Sequence, residues 1–359
     1  IYWMGIQILF VISSLKLITK QILKMKKLFN FCFIVIMLLS VSITAQEKDP
    51  VIENIIKEAN ENSNLERLAH ELLDVVGPRL VGTPQMEHAS KWAIEQYAKW
   101  GIEARKENYG TWRGWERGIT HIDMVSPRVQ SLDGTQLAWN PSTGKKGVTA
   151  EAVTMPNFAD EASFKAWLPS IKGKLVLISM NQPTGRPDYN WEEFATEESF
   201  QKMKDDRDAM TREWRQNIRR TGYNTRTIIA ALEDAGAAGL VACNWSRGFG
   251  VNKVFSARTK TIPTVDMELE DYTMIYRMAE YGDKPVLNIV AESKELGEVP
   301  TFNTVGEIKG SEKPNEYVVL SAHFDSWDGG TGATDNGTGT LVMLEAMRIL
   351  KKIYPNPKR

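Results

Sequence analysis

The residues best suited to chemistry in this chain lie near its carboxyl terminus. His323 and Asp325 follow the mostly apolar run 318–322, and Asp335 lies further on in the Gly-rich segment 329–337. A neutral imidazole and carboxylates are good ligands for a borderline cation such as zinc. The spacing favours a metal site at the carboxyl edge of a parallel sheet, where open α/β sheets place their ligands.

The three side chains suit different roles in such a site. His323 would emerge at a strand end as a ligand, and Asp325 could accept a hydrogen bond from its second ring nitrogen, which fixes the tautomer. Asp335 has two carboxylate oxygens and can bridge two metal ions about 3.5–4 Å apart. The structural alternative makes His323 a core histidine, Asp325 a turn residue and Asp335 the N-cap of the following helix.

Hydrophobic periodicity predicts the elements that must position these residues. The predicted helices are 51–76, 84–100 with Gly101 as the C′ residue, 192–220, 226–235, 270–280 and a last helix through Leu341, Leu344 and Leu350. The predicted strands are 102–109, 118–126, 174–178, 240–242, 262–265, 286–291, 305–309 and 317–322.

Composition predicts how the chain is divided. Residues 127–150 are rich in Pro, Gly, Ser and Thr, which suggests a boundary, and the earlier composition returns near Val299. We infer one domain formed by 46–127 and 298–359, interrupted by an inserted domain over 128–297.

The amino terminus is typical of an exported protein. Residues 25–45 predict a signal peptide, because the basic stretch 25–27 is followed by the apolar stretch 28–43 and the small residue Ala45. We expect residues 1–24 to be upstream sequence translated in frame. A membrane anchor is the alternative. Export with cleavage predicts a periplasmic or extracellular protein without stable membrane association.

Bulk properties exclude other classes. The chain has 359 residues, enough for two domains, and a formal net charge of −1 with no basic stripe, which argues against nucleic-acid binding. Cys32 lies in the predicted leader, so Cys243 stands alone and no disulfide framework is expected. The absence of a Gly-x-Ser-x-Gly motif argues against a serine hydrolase.

Three regions of the sequence resemble the carboxypeptidase Q (plasma glutamate carboxypeptidase) family of di-zinc exopeptidases. They are 74–84 with 89–92, 236–239 with 262–265, and 321–327 with 332–337. The resemblance implies an α/β fold of the phosphorylase/aminopeptidase-like type, an open mixed sheet with helices on both faces. It also implies an inserted α+β protease-associated (PA) domain.

The same resemblance implies a function. It implies a zinc-dependent exopeptidase, an aminopeptidase or dipeptidase like carboxypeptidase Q, which hydrolyses short peptides with metal-activated water. His323 would be a terminal ligand of one of two Zn2+ ions, Asp335 the bridging carboxylate, and Asp325 the residue that orients His323. Peptides would be the partners, and a homodimer stays open.

The chain departs from the family pattern beyond these residues. The family also uses a Glu-Glu pair, of which the first is the general base, and a later Asp and His, and none of these can be assigned. Glu345 is interpreted as a packing residue, and His70, His88 and His121 are poor substitutes. We therefore expect a truncated chain that lacks the base and is inactive. The alternative is a non-catalytic protein whose PA-type insert binds peptides or partners.

Two further residues are interpreted less sharply. Arg79, in the Gly-Pro-Arg turn, is interpreted as a structural residue that holds a loop in preference to a ligand for a substrate carboxylate. Trp327, which precedes the Gly-rich segment 329–337, could line the substrate pocket or simply cover the predicted metal site, and both interpretations stay open.

Overall fold

The structure is a computed structural model that describes residues 49–250 and 253–359. The predicted upstream segment and signal peptide, 1–45, lie outside these residues. The chain divides into two compact units, 1–62 and 63–359. The described part of the first is helix α1 (Pro50–Glu61), whose N-terminus is capped by the Asp49 side chain. Among the described helices, none has the length and apolar content that spanning a bilayer requires.

The second unit alternates helices and strands. Its helices are α2 (Leu65–Ala69), continued by a π-helical segment (His70–Val76), α3 (Pro84–Lys99), α4 (Glu161–Trp167), a 3-10 turn (Leu168–Ile171), α5 (Asp188–Phe194), α6 (Glu197–Arg220), α7 (Ile228–Asp234), α8 (Leu269–Tyr281), a second π-helical segment (Ala333–Gly337) and α9 (Thr338–Ile353). Its strands are β1 (Glu103–Ser126), β2 (Gln130–Leu132), β3 (Gly134–Gln136), β4 (Val148–Thr154), β5 (Leu175–Leu177), β6 (Gly239–Ala242), β7 (Thr264–Met267) and β8 (Val286–Glu307).

These strands form one open mixed sheet in the order β2-β1-β8-β4-β5-β6-β7-β3. Strands β4, β5, β6 and β7 are parallel neighbours, whereas β1 and β8 pair antiparallel along almost their whole lengths. The predicted α/β class with an open mixed sheet is confirmed. Strand β8 runs across residue 297, so the sheet continues through the predicted domain boundary, and the division into domains stays a prediction.

Helices cover both faces of the parallel part of the sheet. Leu175 and Val241 lie in one buried apolar cluster with α8, whereas Val176 and Leu240 lie in a second with α4, α6 and α7. Because side chains alternate between the faces of a strand, a fully apolar strand is buried on both sides. The helical contributors include Tyr272 and Ile275 on the first face and Phe164, Ile218 and Leu232 on the second.

A third apolar cluster lies beneath the predicted metal loop. It joins α2, its π-helical continuation, α3 and α9, through Leu68, Leu72, Trp92 and Leu344, and the ring of Phe324 packs against it. This cluster therefore anchors the residue that follows His323 in the chain.

Most predicted elements are confirmed, with changed bounds. The predicted helix 51–76 is broken at 62–64. Helix α3 ends where predicted, since Gly101 adopts φ +68° and the Ile102 N–H returns to the Tyr97 carbonyl. Strands predicted separately merge into the longer β1 and β8 because the two pair with each other along their lengths.

The predicted strand 317–322 is wrong. The segment has no strand structure, and the side chains of Tyr317, Val318, Val319 and Leu320 are exposed. No described strand pairs with this segment. An apolar, β-branched run forms a strand only where a neighbour accepts its backbone hydrogen bonds.

A buried carboxyl group lies at the end of β7. Asp266 is fully buried; its Oδ1 accepts a hydrogen bond from the Asn244 N–H at 2.7 Å, and its Oδ2 has no partner. Burial raises the pKa of Asp266 to about 7. Burial, with a smaller effect of Asp266, also raises the pKa of the nearby Cys243 thiol to about 12. The buried surroundings of Asp266 and Cys243 therefore favour the neutral forms of both side chains.

We expect Asp266 to make stability fall as pH rises. Its folded pKa of about 7 lies above the ordinary 3.8, so between these values the folded chain binds the proton more tightly than the unfolded chain. The free energy of unfolding then decreases by a few kcal/mol, in order of magnitude, from about pH 4 to pH 7. It stays at the lower value above pH 7. Urea unfolding at pH 5 and pH 8 checks this.

In Asp266→Asn this decrease should largely vanish. The difference in free energy of unfolding between the variant and the parent should therefore favour the variant more at pH 8 than at pH 5. Asp283→Asn, at an exposed carboxylate, is the matched control and should keep the parental dependence. An unchanged dependence in Asp266→Asn would contradict the assignment.

Candidate metal centre

The structure brings together the three residues that the sequence singles out. His323 Nε2 lies 3.0 Å from Asp335 Oδ1, and His323 Nδ1 lies 3.1 Å from Asp325 Oδ1 and 3.2 Å from the Asp325 carbonyl oxygen. Each ring nitrogen therefore faces one carboxylate. The predicted location is different, however: His323 follows the unpaired segment 317–322 and does not lie at the edge of a parallel sheet.

The structural alternative does not account for His323 and Asp335. The His323 side chain is 54% exposed, which a core histidine would not be. Asp335 is 75% exposed, and the N-cap of α9 is Gly337, with no side-chain capping bond. The histidine and Asp335 therefore meet each other at the surface with no evident part in packing or capping.

The donor set fits a zinc ion. Imidazole nitrogen and carboxylate oxygen each bind zinc at about 2.0–2.2 Å, so two donors on one ion lie at most about 4.2 Å apart. The 3.0 Å between His323 Nε2 and Asp335 Oδ1 meets this limit. If Nδ1–H donates to Asp325, the Nε2 lone pair points to the Asp335 side, which is the tautomer that a ligand needs.

The backbone around the pair is held by small and polar residues. The His323 carbonyl lies 3.5 Å from Asn336 Nδ2 and 3.4 Å from Thr340 Oγ1. Gly332 adopts φ +64°, and a Cβ there would lie 2.3 Å from Ser326 Cβ. Only glycine at position 332 therefore lets the segments 323–326 and 331–335 approach so closely.

Arg79 lies beneath this loop and is fully buried. Its guanidinium donates hydrogen bonds to main-chain carbonyls of Phe324, Thr331 and Gly332 and of its own turn at Gly77. The interpretation of Arg79 as a structural residue that holds a loop is confirmed. These acceptors are backbone atoms, so no pattern of side chains in the sequence predicts these contacts.

Sequence reasoning missed a second anchor of the loop. The Asp328 carboxylate forms a mostly buried ion pair with Arg117 of β1, which also donates to the carbonyl of Gln136 at 2.6 Å. Trp327 is partly exposed and packs edge-to-face on Trp139 and Phe255, with centroids 6.5 and 5.2 Å away. The apex of the loop therefore rests on β1 and on the predicted insert.

Glu345 and His70, which the sequence argued against as site residues, bind partners other than His323, Asp325 and Asp335. Glu345 is buried on α9 and binds Arg348 and the Asn64 N–H, as expected of a packing residue. His70 pairs with Asp74 on the helix surface at 2.9 Å. Across 49–250 and 253–359, no group of three or more His, Cys, Asp or Glu side chains is arranged to hold a metal ion.

Comparisons with known proteins bear on this loop. Residues 303–359 match the sequence profile of peptidase family M28. The chain is 30% identical over 303 residues to carboxypeptidase Q of Rattus norvegicus, which covers 83% of this chain and 57% of that protein. Over 55 residues, 15% of this chain and 7% of that protein, it is 44% identical to transferrin receptor protein 1 of Gallus gallus.

A solved structure shares the fold. The peptidase M28 precursor from Shewanella amazonensis SB2B aligns with a TM-score of 0.56 and 24% identity, over 86% of this chain and 64% of that chain. The chain thus spans little more than half the length of its rat relative. The resemblance that the sequence predicts is confirmed: this chain is similar to carboxypeptidase Q over 83% of its length, and its residues 303–359 match peptidase family M28.

Proposed function

We propose that this chain carries part of the zinc centre of an exopeptidase like carboxypeptidase Q, which hydrolyses peptide bonds of short peptides. The observation that carries the proposal is the 3.0 Å approach of His323 Nε2 to Asp335 Oδ1, with Asp325 on the other ring nitrogen. In this proposal His323 is a terminal ligand and Asp335 a carboxylate shared between two ions.

The chemistry of the residues follows from their positions. A bound zinc ion supplies electrostatic activation of water for attack on a peptide carbonyl. With the proton on Nδ1, His323 would donate to Asp325, which would hold the ring in place with Nε2 facing Asp335. Asp335 presents one oxygen to His323, and a carboxylate has a second oxygen with which to contact another cation.

We further propose that this chain does not by itself turn over peptides. Two protein donors make a weak zinc site compared with the three or four of natural sites. A general base that contributes about 10²–10⁴-fold is also required. Glu345, buried against Arg348, is not placed to act as one.

Export, the PA-type insert and the partners belong to the same proposal. The leader pattern over 25–45 supports cleavage and a periplasmic or extracellular location. Motifs 236–239 and 262–265 support a PA-like domain over 128–297. Peptides are the proposed substrates.

A non-catalytic binding protein is the second candidate. The observation that favours it is the similarity to a protein named as a receptor, at 44% identity over a short stretch. The His323, Asp325 and Asp335 arrangement argues for the metal site, since a degenerate scaffold has no need to keep two carboxylates on the two nitrogens of one imidazole.

We expect zinc to stabilise the folded chain through His323 and Asp335. At a zinc concentration 100 times the dissociation constant, the free energy of unfolding should rise by about 2.7 kcal/mol. His323→Ala and Asp335→Asn should abolish the increase. Without zinc they should change stability by less than about 0.5 kcal/mol, because both side chains are exposed. Urea unfolding with and without zinc measures all of these.

The matched control is His70→Ala, because His70 and Asp74 form another exposed imidazole–carboxylate pair. Loss of the zinc effect in this variant, or its survival in His323→Ala, would place the ion elsewhere and refute the proposed centre. No zinc effect in the parent would favour the non-catalytic candidate.

We also expect no zinc-dependent hydrolysis of dipeptides by the purified chain, since no group of three or more His, Cys, Asp or Glu side chains in 49–250 and 253–359 is arranged to hold a metal ion and supply a base beside it. The assay follows the release of amino acids over hours at neutral pH with excess zinc, beside an M28 peptidase as positive control. Robust turnover that His323→Ala removes would contradict the expectation of inactivity.

A further inference from the structure

We propose that Arg79 is a positioning residue for the cation site, which sets the separation between His323 and Asp335 by holding both arms of their loop. The first arm is 323–326 and the second is 331–335. This inference rests on the proposed function, because it assigns a role to a residue that contacts neither donor.

The guanidinium links three separate stretches of backbone. Nε donates to the Phe324 carbonyl at 3.0 Å in the first arm, and Nη1 and Nη2 donate to Thr331 and Gly332 at 2.9 and 3.1 Å in the second. Nη1 also binds the Gly77 carbonyl at 2.8 Å, which ties both arms to the turn before α3. Phe324 is next to His323 in the chain, so the contact acts directly on the imidazole-bearing backbone.

The Arg79 backbone adds a second link to the first arm. Its N–H donates to Ser326 Oγ at 2.9 Å, and its carbonyl accepts from the Ser326 N–H at 3.1 Å. The Ser326 side chain in turn lies against Gly332 of the second arm, where an added Cβ would meet Ser326 Cβ at 2.3 Å and Arg79 Nη2 at 2.9 Å. The two arms therefore pack closely against each other and against the arginine, with no space for a side chain at position 332.

Burial makes these contacts obligatory. Arg79 has no exposed surface, and burial lowers the pKa of its guanidinium, although the Asp325 carboxylate opposes that effect. Arginine still keeps its charge in proteins, so each N–H that lost its carbonyl would leave a buried cation unsatisfied. An arm that moved away would incur that cost, and the loop is held in one arrangement.

Lysine cannot reproduce this arrangement. The planar guanidinium carries five N–H donors in a rigid fork, whereas an ammonium is a single point with three. Arg79→Lys therefore keeps the charge but loses the simultaneous reach to Phe324, Thr331 and Gly332. The Arg79→Lys variant therefore distinguishes the role of the guanidinium hydrogen bonds from the role of the positive charge.

The test is divalent-metal binding by the full chain, in the His70→Ala background. Zinc affinity is measured by calorimetry, and cobalt(II) is used as a probe whose visible absorption reports ligand geometry. We expect Arg79→Lys to weaken binding of both metals about 10- to 100-fold, the range found when supporting contacts of metal ligands are removed. The cobalt spectrum should change as well, which lower fold stability alone would not cause.

Two arginine variants serve as controls. Arg117→Lys alters the ion pair to Asp328 at the loop apex but leaves both arms on Arg79, so its effect should be smaller than that of Arg79→Lys. Arg105→Lys, at an exposed site on β1, should leave affinity within about twofold of the parent. Circular dichroism and thermal unfolding without metal verify the fold of each variant.

The outcomes separate this inference from the proposed function. If the parent binds zinc and Arg79→Lys binds it equally with the same cobalt spectrum, the positioning role is refuted while the zinc centre stands. If the parent binds no zinc, the proposed function fails first. Should Arg79→Lys not fold, Ser326→Ala decides, since it removes one link between Arg79 and the first arm. Unchanged affinity in that variant would overturn the inference.

Discussion

The arrangement of the candidate centre depends on a buried charge that is satisfied by peptide groups. A guanidinium in the interior needs acceptors for its N–H groups, and Arg79 donates to the carbonyl of Gly77 in its own turn and to those of Phe324, Thr331 and Gly332, about 250 residues further along the chain. Because carbonyls have fixed places along the chain, satisfying the charge also fixes the path of the loop. Side-chain partners could rotate to follow a shifted arginine, whereas backbone partners shift only with the loop itself.

The second constraint is the long pairing of β1 with β8. These strands run together from Glu103 to Ser126, and the ribbon is also part of the sheet that contains the parallel strands. Arg117 lies within this ribbon and pairs with Asp328 of the loop 323–335, while Trp139 and Phe255 support Trp327 from the predicted insert. The loop is thus held from below by Arg79 and from the side by residues more than fifty positions away in the chain.

Many of the helices and the grouping of His323 with Asp325 could be predicted from the sequence because they depend on residues close together in the chain. Amphipathic period located α3 and α9, and the spacing from His323 to Asp325 brought both to one place, as backbone geometry over two residues allows little else. Features that depend on partners far away in the chain could not be predicted from the sequence. The run 317–322 has strand composition but no described neighbour with which to pair. The contacts of Arg79 are to carbonyls, which every residue has, so no pattern of side chains marks them.

The high pKa of Cys243 has a consequence for how the chain meets metals and oxidants. With a pKa of about 12, only about one thiol in 10⁵ is ionised at pH 7, and the thiolate is both the nucleophile and the metal ligand. Alkylating agents, peroxide and soft cations should therefore react with this sulfur very slowly while the fold is intact. The rate of thiol labelling of Cys243 therefore measures local opening of the structure just after strand β6.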